Sequence, residues 1–247
     1  YQEARNPKTA DRIIKSIKAG FPHLLEKQLA DISASQIEVW RNDKRKSGMK
    51  EATINGYVST LKALLNRAVE WGLIEKNNLE NIKKLRSDNK RIRFLNDDEQ
   101  ERLKTALEER TARIKKERDN ANLHRVMRNK PMLPEFKKRT YVDHLTPIVH
   151  LAMYTGMRKG EILSLKWDDV DLKNKTITVQ PENAKSGKRR HIPTNAIVLN
   201  MLKTWKKEGG TVEYVFENET NKPLADFKKA WMNLLKNADI NNFRFHD

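Results

Sequence analysis

The apolar positions of the first third of the chain repeat at the three- and four-residue spacing of α-helices. The clearest stripe lies in residues 50–71 and consists of Ile54, Tyr57, Val58, Leu61, Leu64, Leu65, Ala68 and Val69. Shorter stripes lie on both sides of Pro22, and Ser35 is placed to cap a helix that ends near Gly48. The pattern predicts a bundle of helices over residues 9–85.

A second group of helices begins at a capping signal. Asn96, with Glu99 three residues later, has the form of a capping box at the start of a helix that carries Leu103. The residues that follow are highly charged, contain two prolines and offer few apolar anchors. This composition predicts a surface insertion over residues 108–140.

The apolar run from Ile148 to Tyr154 predicts a buried helix that ends at a glycine. Gly156 can end it because glycine enters the left-handed conformation without steric cost. A new helix then begins near Arg158, whose side chain is expected beside backbone N–H groups suited to an anion such as phosphate. The alternative is an arginine that faces water or pairs with a nearby carboxylate.

After this junction, the spacing of apolar residues changes from the helical repeat to the two-residue repeat of β-strands. Residues 176–180 are rich in β-branched side chains and predict a strand, residues 189–193 are read as a second strand, and the two together predict a hairpin. The Ser-Gly pair between them signals a turn, so Lys185 and Lys188 are expected at or beside its tip. The pattern then predicts a helix over residues 195–207, a short strand over 214–216 and a helix over 223–238.

A polar segment separates the helical first part from the mixed second part. Residues 83–93 contain six Lys or Arg and hardly any apolar side chain, which is typical of an exposed linker. We therefore expect a helical domain over residues 1–87, a basic linker over 88–95 and a second domain over 96–247. The predicted fold class is mainly α with a small β-sheet (α+β).

Composition narrows the function. The 247 residues include 50 Lys and Arg against 33 Asp and Glu, and the formal net charge of +17 favours a polyanionic partner, nucleic acid before an acidic membrane. The chain has no cysteine, and its six histidines show no close metal-ligand spacing, so catalysis without a metal is expected. No apolar run approaches the roughly 20 residues of a membrane span, and no secretion signal is visible, which predicts a cytoplasmic or nuclear location.

Three motifs, taken in order, resemble the tyrosine recombinase (phage integrase) family. They are T-G-M-R-K-G-E-I-L-S-L-K-W-D-D-V-D from Thr155, A-K-S-G-K-R-R-H-I-P from Ala184 and F-R-F-H-D from Phe243. The resemblance implies a helical core-binding domain followed by a catalytic domain. It also implies a site-specific recombinase of a mobile genetic element, which cleaves and rejoins DNA through a 3′-phosphotyrosine and uses no cofactor.

The resemblance assigns roles to individual residues. Arg158 corresponds to the family's first catalytic arginine, Lys185 to its hairpin lysine and His246 to the first member of its His-x-x-Arg motif. An arginine fork can bind two phosphate oxygens and stays charged, whereas a lysine can lose a proton and so suits a general acid for the departing 5′ oxygen. His246 can bond a phosphate oxygen or accept the nucleophile's proton. Glu161 is expected to pair with a cation and support the site; the alternative is a surface ion pair.

Further polar residues are predicted to contact DNA. Four lie mostly off the apolar face of the 50–71 helix and three lie in the hairpin: Lys50, Thr53, Asn55, Lys62, Lys188, Arg189 and Arg190. The alternative for each is a solvated charged surface. The partner is double-stranded DNA, and the resemblance implies a tetramer of the full-length protein on paired sites in a bacterial host.

The family's nucleophile is a tyrosine, and its expected position has no counterpart here. The His-x-x-Arg motif is cut after Asp247. None of the chain's five tyrosines occupies the position of the nucleophile: Tyr1, Tyr57, Tyr141, Tyr154 and Tyr214. We therefore expect this chain to bind DNA without cleaving it, while the parent protein recombines DNA. Two alternatives remain, a non-catalytic DNA-binding regulator on the same scaffold and an RNA-binding helical protein.

Overall fold

The computed structural model describes residues 7–87, 92–184, 187–209 and 212–246. The chain divides into two compact units, Tyr1–Arg91 and Ile92–Asp247. Helices dominate both, and the second unit adds a small antiparallel sheet. The predicted α+β class is confirmed.

Among its described residues, the first unit contains three α-helices: α1 (Pro7–Gly20), α2 (Ala34–Lys46) and α3 (Glu51–Glu70). Helix α2 is capped by Ser33, not by the predicted Ser35. The Ser33 hydroxyl accepts a hydrogen bond from the Gln36 backbone N–H, and the Gln36 side chain accepts one from the Ser33 N–H. This reciprocal pair satisfies two donors at the helix start, which explains why the helix begins two residues earlier.

The apolar stripe of α3 forms the centre of the first unit. Ile54, Leu61 and Leu65 are buried there, as the helical spacing predicts. Phe21 and Trp40 pack beside them with ring centroids 4.4 Å apart. The core of this unit is therefore one apolar cluster between the helices.

The second unit combines five helices and three strands among its described residues. The helices are α4 (Asp97–Met127), α5 (Leu145–Thr155), α6 (Lys159–Leu163), α7 (Ala196–Gly209) and α8 (Lys228–Asn237). The strands are β1 (Val170–Asp171), β2 (Thr176–Val179) and β3 (Arg190–Pro193). They pair antiparallel in the order β1-β2-β3, with Thr178 opposite His191, so the predicted hairpin is confirmed.

Helix α5 lies in the middle of the second core. Its residues Leu145, Ile148 and Leu151 are fully buried, together with Leu103 of α4 and Ile177 of β2. The capping box of α4 is formed as predicted, because Asn96 and Glu99 each accept a hydrogen bond from the other's backbone N–H. Packing on α5 fixes the helix junction that follows it.

The segment 108–140, predicted as a surface insertion, is helical over its first part. Helix α4 continues through it to Met127, and the chain then returns along the helix. Side-chain hydrogen bonds to the returning backbone stabilise this part in place of apolar burial, as at Asn122, whose side chain bonds both the N–H and the carbonyl of Leu133. A composition-based prediction misses such contacts because they do not depend on apolar residues.

Two other predicted elements also differ. Residues 214–216 form no strand; Tyr214 makes an isolated bridge with Lys166. Helix α8 begins at Lys228 and not near Pro223, because Pro223 pairs with Glu217 in a second isolated bridge. Within the described ranges, no helix is both long enough and apolar enough to cross a membrane.

Candidate active site

The site begins at the junction between α5 and α6. Gly156 ends α5 in the left-handed conformation, with a φ of 62°, and its N–H donates to the Ala152 carbonyl. Arg158 is the cap residue of α6, whose first helical residue is Lys159. The predicted junction is confirmed, and it carries Arg158 at the start of a new helix.

Glu161 occupies the first turn of α6 and is almost completely buried, at 3% exposure. One of its carboxylate oxygens accepts a hydrogen bond of 2.8 Å from the Arg158 backbone N–H. The sequence predicts that N–H groups at this helix start face an external anion. The structure places the protein's own carboxylate against the Arg158 N–H, a favourable position for a negative charge at a helix N-terminus.

The buried carboxylate also binds two guanidinium groups. Arg190 of β3 donates to both oxygens of Glu161, at 2.9 and 2.6 Å, and Arg158 donates to one of them at 3.2 Å. The expected pairing of Glu161 with a cation is therefore present. Because the Glu161 side chain is only 1% exposed, the alternative of a surface ion pair does not describe it.

These hydrogen bonds set the charge of the cluster. The Arg190 guanidinium, followed by the backbone N–H and the side chain of Arg158, lowers the pKa of Glu161 to about 2 against the opposing effect of burial. The same contact raises the pKa of Arg190. Glu161 is thus a carboxylate at any pH near neutrality, bound by two guanidinium groups.

The two arginines differ in their access to a ligand. The Arg158 side chain is 55% exposed and uses one terminal nitrogen on Glu161, whereas the Arg190 side chain is 35% exposed and uses both terminal nitrogens. Arg158 can therefore offer most of its planar fork to an anion such as phosphate. The buried carboxylate holds both terminal nitrogens of Arg190, and the predicted contact of Arg190 with DNA stays a prediction.

A second set of contacts links α6 to the last described residues. Lys159 forms an ion pair with Asp226, which lowers the pKa of that carboxyl, and its ammonium lies 5.2 Å from the centre of the Phe227 ring. The Phe227 ring packs on Phe245 at 4.8 Å between centroids, and Phe245 is followed by the exposed His246. A continuous series of contacts thus connects the residue after Arg158 to the residue before His246.

The hairpin residues can be followed only in part. Lys185 lies outside the described residues, so its predicted position at the tip stays a prediction. Gly187 has a φ of 65°, which agrees with the turn signal, and Lys188 and Arg189 are exposed. Their predicted contact with DNA stays a prediction.

In the first unit, the four residues predicted to contact DNA divide into two pairs. Lys50 and Thr53 are exposed at the start of α3. Asn55 instead exchanges two hydrogen bonds with the Leu85 backbone, and Lys62 donates to the carbonyls of residues 80 and 82. Asn55 and Lys62 thus hold the segment after α3 against the helix, a structural role that their polar pattern alone does not reveal.

The four tyrosines within the described ranges each contact another side chain. Tyr57 packs on Phe21 and Trp40, Tyr141 on Trp205, Tyr154 on His150, and Tyr214 lies beside the ammonium of Lys166. No group of three or more His, Asp or Glu side chains suited to a metal ion occurs in the part of the chain that the structure describes.

Comparison with known proteins matches residues 94–247 to the phage integrase family. Among curated proteins, the integrase of Salmonella phage P22 is 28% identical over 210 residues, which cover 79% of this chain and 44% of that integrase. The chain therefore spans less than half the length of this relative.

Solved structures show the same fold. A lambda integrase dimer bound to a COC′ core site superposes with a TM-score of 0.66 at 22% identity, covering 97% of this chain and 61% of that chain. A lambda integrase tetramer bound to a Holliday junction gives a TM-score of 0.62 at 21% identity, covering 97% and 64%. The similarity extends over both units of this chain.

Proposed function

Because the chain belongs to the phage integrase family, we propose that it is part of a site-specific recombinase that cleaves and rejoins DNA through a 3′-phosphotyrosine. The observation that carries this proposal is the exposed Arg158 fork, fixed by a buried carboxylate that a second arginine clamps. We assign residues 1–87 to a helical DNA-binding domain, 88–95 to a linker and 96–247 to the catalytic domain.

Arg158 is the group that binds the scissile phosphate. Negative charge on the non-bridging oxygens of a phosphate in transfer is stabilised by cations that are already oriented, because little reorganisation is then needed. Glu161 supplies that orientation through the Arg158 backbone N–H and side chain. Such a site needs no metal to neutralise the phosphate.

Two other residues complete the proposed chemistry. Lys185 acts as the general acid that protonates the departing 5′ oxygen, a step typically worth about 10²- to 10⁴-fold in rate. His246 bonds a phosphate oxygen or accepts the proton of the nucleophile. The contacts from Lys159 through Phe227 to Phe245 support a position of His246 near the start of α6.

We propose that the 247-residue chain binds duplex DNA and does not form the covalent intermediate itself. The packing of its four described tyrosines against other side chains supports this. The whole protein is proposed to act in the cytoplasm of a bacterial host as a tetramer on paired sites, by analogy with the lambda integrase tetramer on a Holliday junction.

The proposal is tested with the whole protein on a nicked suicide substrate. Its sequence is taken from the junction between the mobile genetic element and the host DNA. The whole protein should form a covalent adduct, whereas the 247-residue chain should bind the same DNA without one. Arg158→Ala should abolish the adduct but retain most of the binding, since many phosphate contacts share the affinity. Lys236→Ala, at an exposed cation that is not assigned to DNA contact, serves as the control.

A full rate of cleavage by Arg158→Ala would show that the phosphate lies elsewhere. A covalent adduct with the 247-residue chain would overturn its assignment as a binding part. The role of Lys185 is tested by a substrate whose departing oxygen is replaced by sulfur, which needs little protonation as it leaves. Lys185→Ala should recover on this substrate, whereas equal loss on both substrates would assign the acid to another residue.

A further inference from the structure

Residues 113–139, which we call the basic arm, comprise the last part of α4 and the segment that returns along it. The arm contains ten Lys or Arg and three Asp or Glu, whereas the whole chain has 50 and 33. Its density of basic residues is thus well above the average of an already basic chain. Apolar packing does not explain this segment, because Asn122 is the buried α4 residue beyond Leu107.

The arm has a defined internal structure. Asn122 bonds both backbone groups of Leu133, Arg125 donates to the Pro131 carbonyl at 2.6 Å, and Arg118 donates to the Pro134 carbonyl at 3.1 Å. These three residues of α4 are spaced by four and three positions, so they lie on one face of the helix. The returning segment is therefore fixed along that face.

The base of the arm is fixed to the second unit at both ends. On the helix side, Arg110 forms a two-fold ion pair with Asp143. On the returning side, Glu208 of α7 accepts hydrogen bonds from the N–H groups of Thr140 and Tyr141. These contacts at both ends of its base fix the orientation of the arm relative to the rest of the second unit.

The exposed cations of the arm differ from the arginines that build it. They include five exposed side chains: Lys116, Arg128, Lys130, Lys137 and Lys138. The helical part of the arm is about 22 Å long at 1.5 Å per residue. Duplex DNA carries about one phosphate charge per 1.7 Å of axis, so an element of this length can meet several phosphates.

We propose that the basic arm is a DNA-binding element that contacts phosphates of the duplex, in addition to the phosphate contact proposed for Arg158. This inference rests on the proposed function and adds a contact region to it. The exposed lysines favour DNA over a protein partner, because lysine is depleted in the centres of protein interfaces. The fixed arm adds affinity without an ordering cost on binding.

The test is the affinity of the 247-residue chain for a random-sequence duplex of about 40 base pairs at several salt concentrations. The arm variant carries Arg128→Gln, Lys130→Gln, Lys137→Gln and Lys138→Gln. The matched control removes four charges from exposed lysines elsewhere in the second unit: Lys173→Gln, Lys203→Gln, Lys207→Gln and Lys236→Gln. Both variants have the same net charge, so only the place of the lost charges differs.

The arm variant should bind roughly tenfold more weakly than the control variant, with a shallower dependence of affinity on salt, because fewer counterions are released. Equal affinities of the two variants would overturn the inference and leave the proposed function intact. Failure of the unmodified chain to bind DNA would instead refute the proposed function.

Four exposed apolar side chains provide a second measurement: Leu123, Val126, Met127 and Met132. A protein partner on the arm would use these side chains, since interface cores are apolar. Met127→Ser with Met132→Ser should therefore leave the DNA affinity unchanged. If this double variant lost affinity or cooperative binding while the charge variant did not, the arm would be a protein interface and the inference would be wrong.

Discussion

At the scale of single residues, Glu161 is the most consequential side chain of the site. One buried carboxylate accepts hydrogen bonds from the backbone of Arg158 and from the side chains of Arg158 and Arg190. The two arginines share a partner but not a role. Arg158 is the more exposed and is available to phosphate, whereas Arg190 positions the carboxylate.

This difference predicts that the two arginines contribute unequally to stability. Arg190→Ala removes the two-fold partner of a buried charge and should lower the free energy of unfolding by about 3 kcal/mol. Arg158→Ala should change it by less than about 1 kcal/mol, because that side chain is half exposed and its backbone N–H remains. Denaturant unfolding measures both. Equal losses would contradict the assignment of Arg190 as the positioning residue.

The lowered pKa of Glu161 predicts a pH dependence. A carboxyl whose pKa falls from 4.5 to about 2 on folding stabilises the protein above pH 4.5, and this contribution is lost as the pH falls toward 2. The full shift corresponds to about 3 kcal/mol. Glu161→Gln should therefore lose less stability than the unmodified chain on acidification. Parallel curves of unfolding free energy against pH would show that Glu161 is not the responsible group.

At the scale of elements, the junction between α5 and α6 depends on one of two nearby glycines. Gly156 has a φ of 62°, which is costly for other residues, whereas Gly160 lies within α6 without a positive φ. At both positions an added Cβ meets nothing within 4 Å. Backbone conformation alone therefore distinguishes them.

Gly156→Ala should destabilise the second unit by about 1 kcal/mol, since alanine resists the left-handed conformation. Gly160→Ala should be neutral or stabilise it by about 0.5 to 1 kcal/mol, because alanine is the better helix former. Thermal unfolding of the two variants is the measurement. A destabilisation of the same size at both positions would mean that the junction does not require the left-handed conformation.

Elements with local signals could be predicted from the sequence. The capping box at Asn96, the glycine stop at Gly156 and the β2–β3 hairpin all depend on neighbouring residues, and all are present. The clamp of Arg190 on Glu161 could not be predicted, because the two residues are 29 positions apart and meet only when β3 lies beside α6. The extent of α4 was missed for a similar reason, since its last part depends on contacts such as Asn122 with Leu133.

At the scale of the whole molecule, the two units have separate apolar cores. Ile54 belongs to the first and Ile162 to the second, and both are fully buried. No buried residue is common to the two clusters within the described residues. Each unit thus has the core that an independently folding domain requires.

Calorimetry should accordingly resolve two unfolding transitions. Ile54→Ala should lower the midpoint of one transition and Ile162→Ala that of the other, each with a loss of about 2 to 5 kcal/mol in its own unit. Ile54→Ala and Ile162→Ala act as controls for each other, because each truncates a buried isoleucine to alanine in a different unit. A single transition shifted equally by both substitutions would show that the chain unfolds as one cooperative body.

The shared carboxylate also limits how this sequence can diverge. A descendant that replaced Glu161 would leave Arg190 without its partner, and one that replaced Arg190 would leave a charged carboxylate in the core. Because each single change is unfavourable, positions 161 and 190 should change together or not at all. Arg158 would be constrained for a separate reason, the phosphate contact that we propose for it. Positions 161 and 190 would then be conserved for stability, and position 158 for activity.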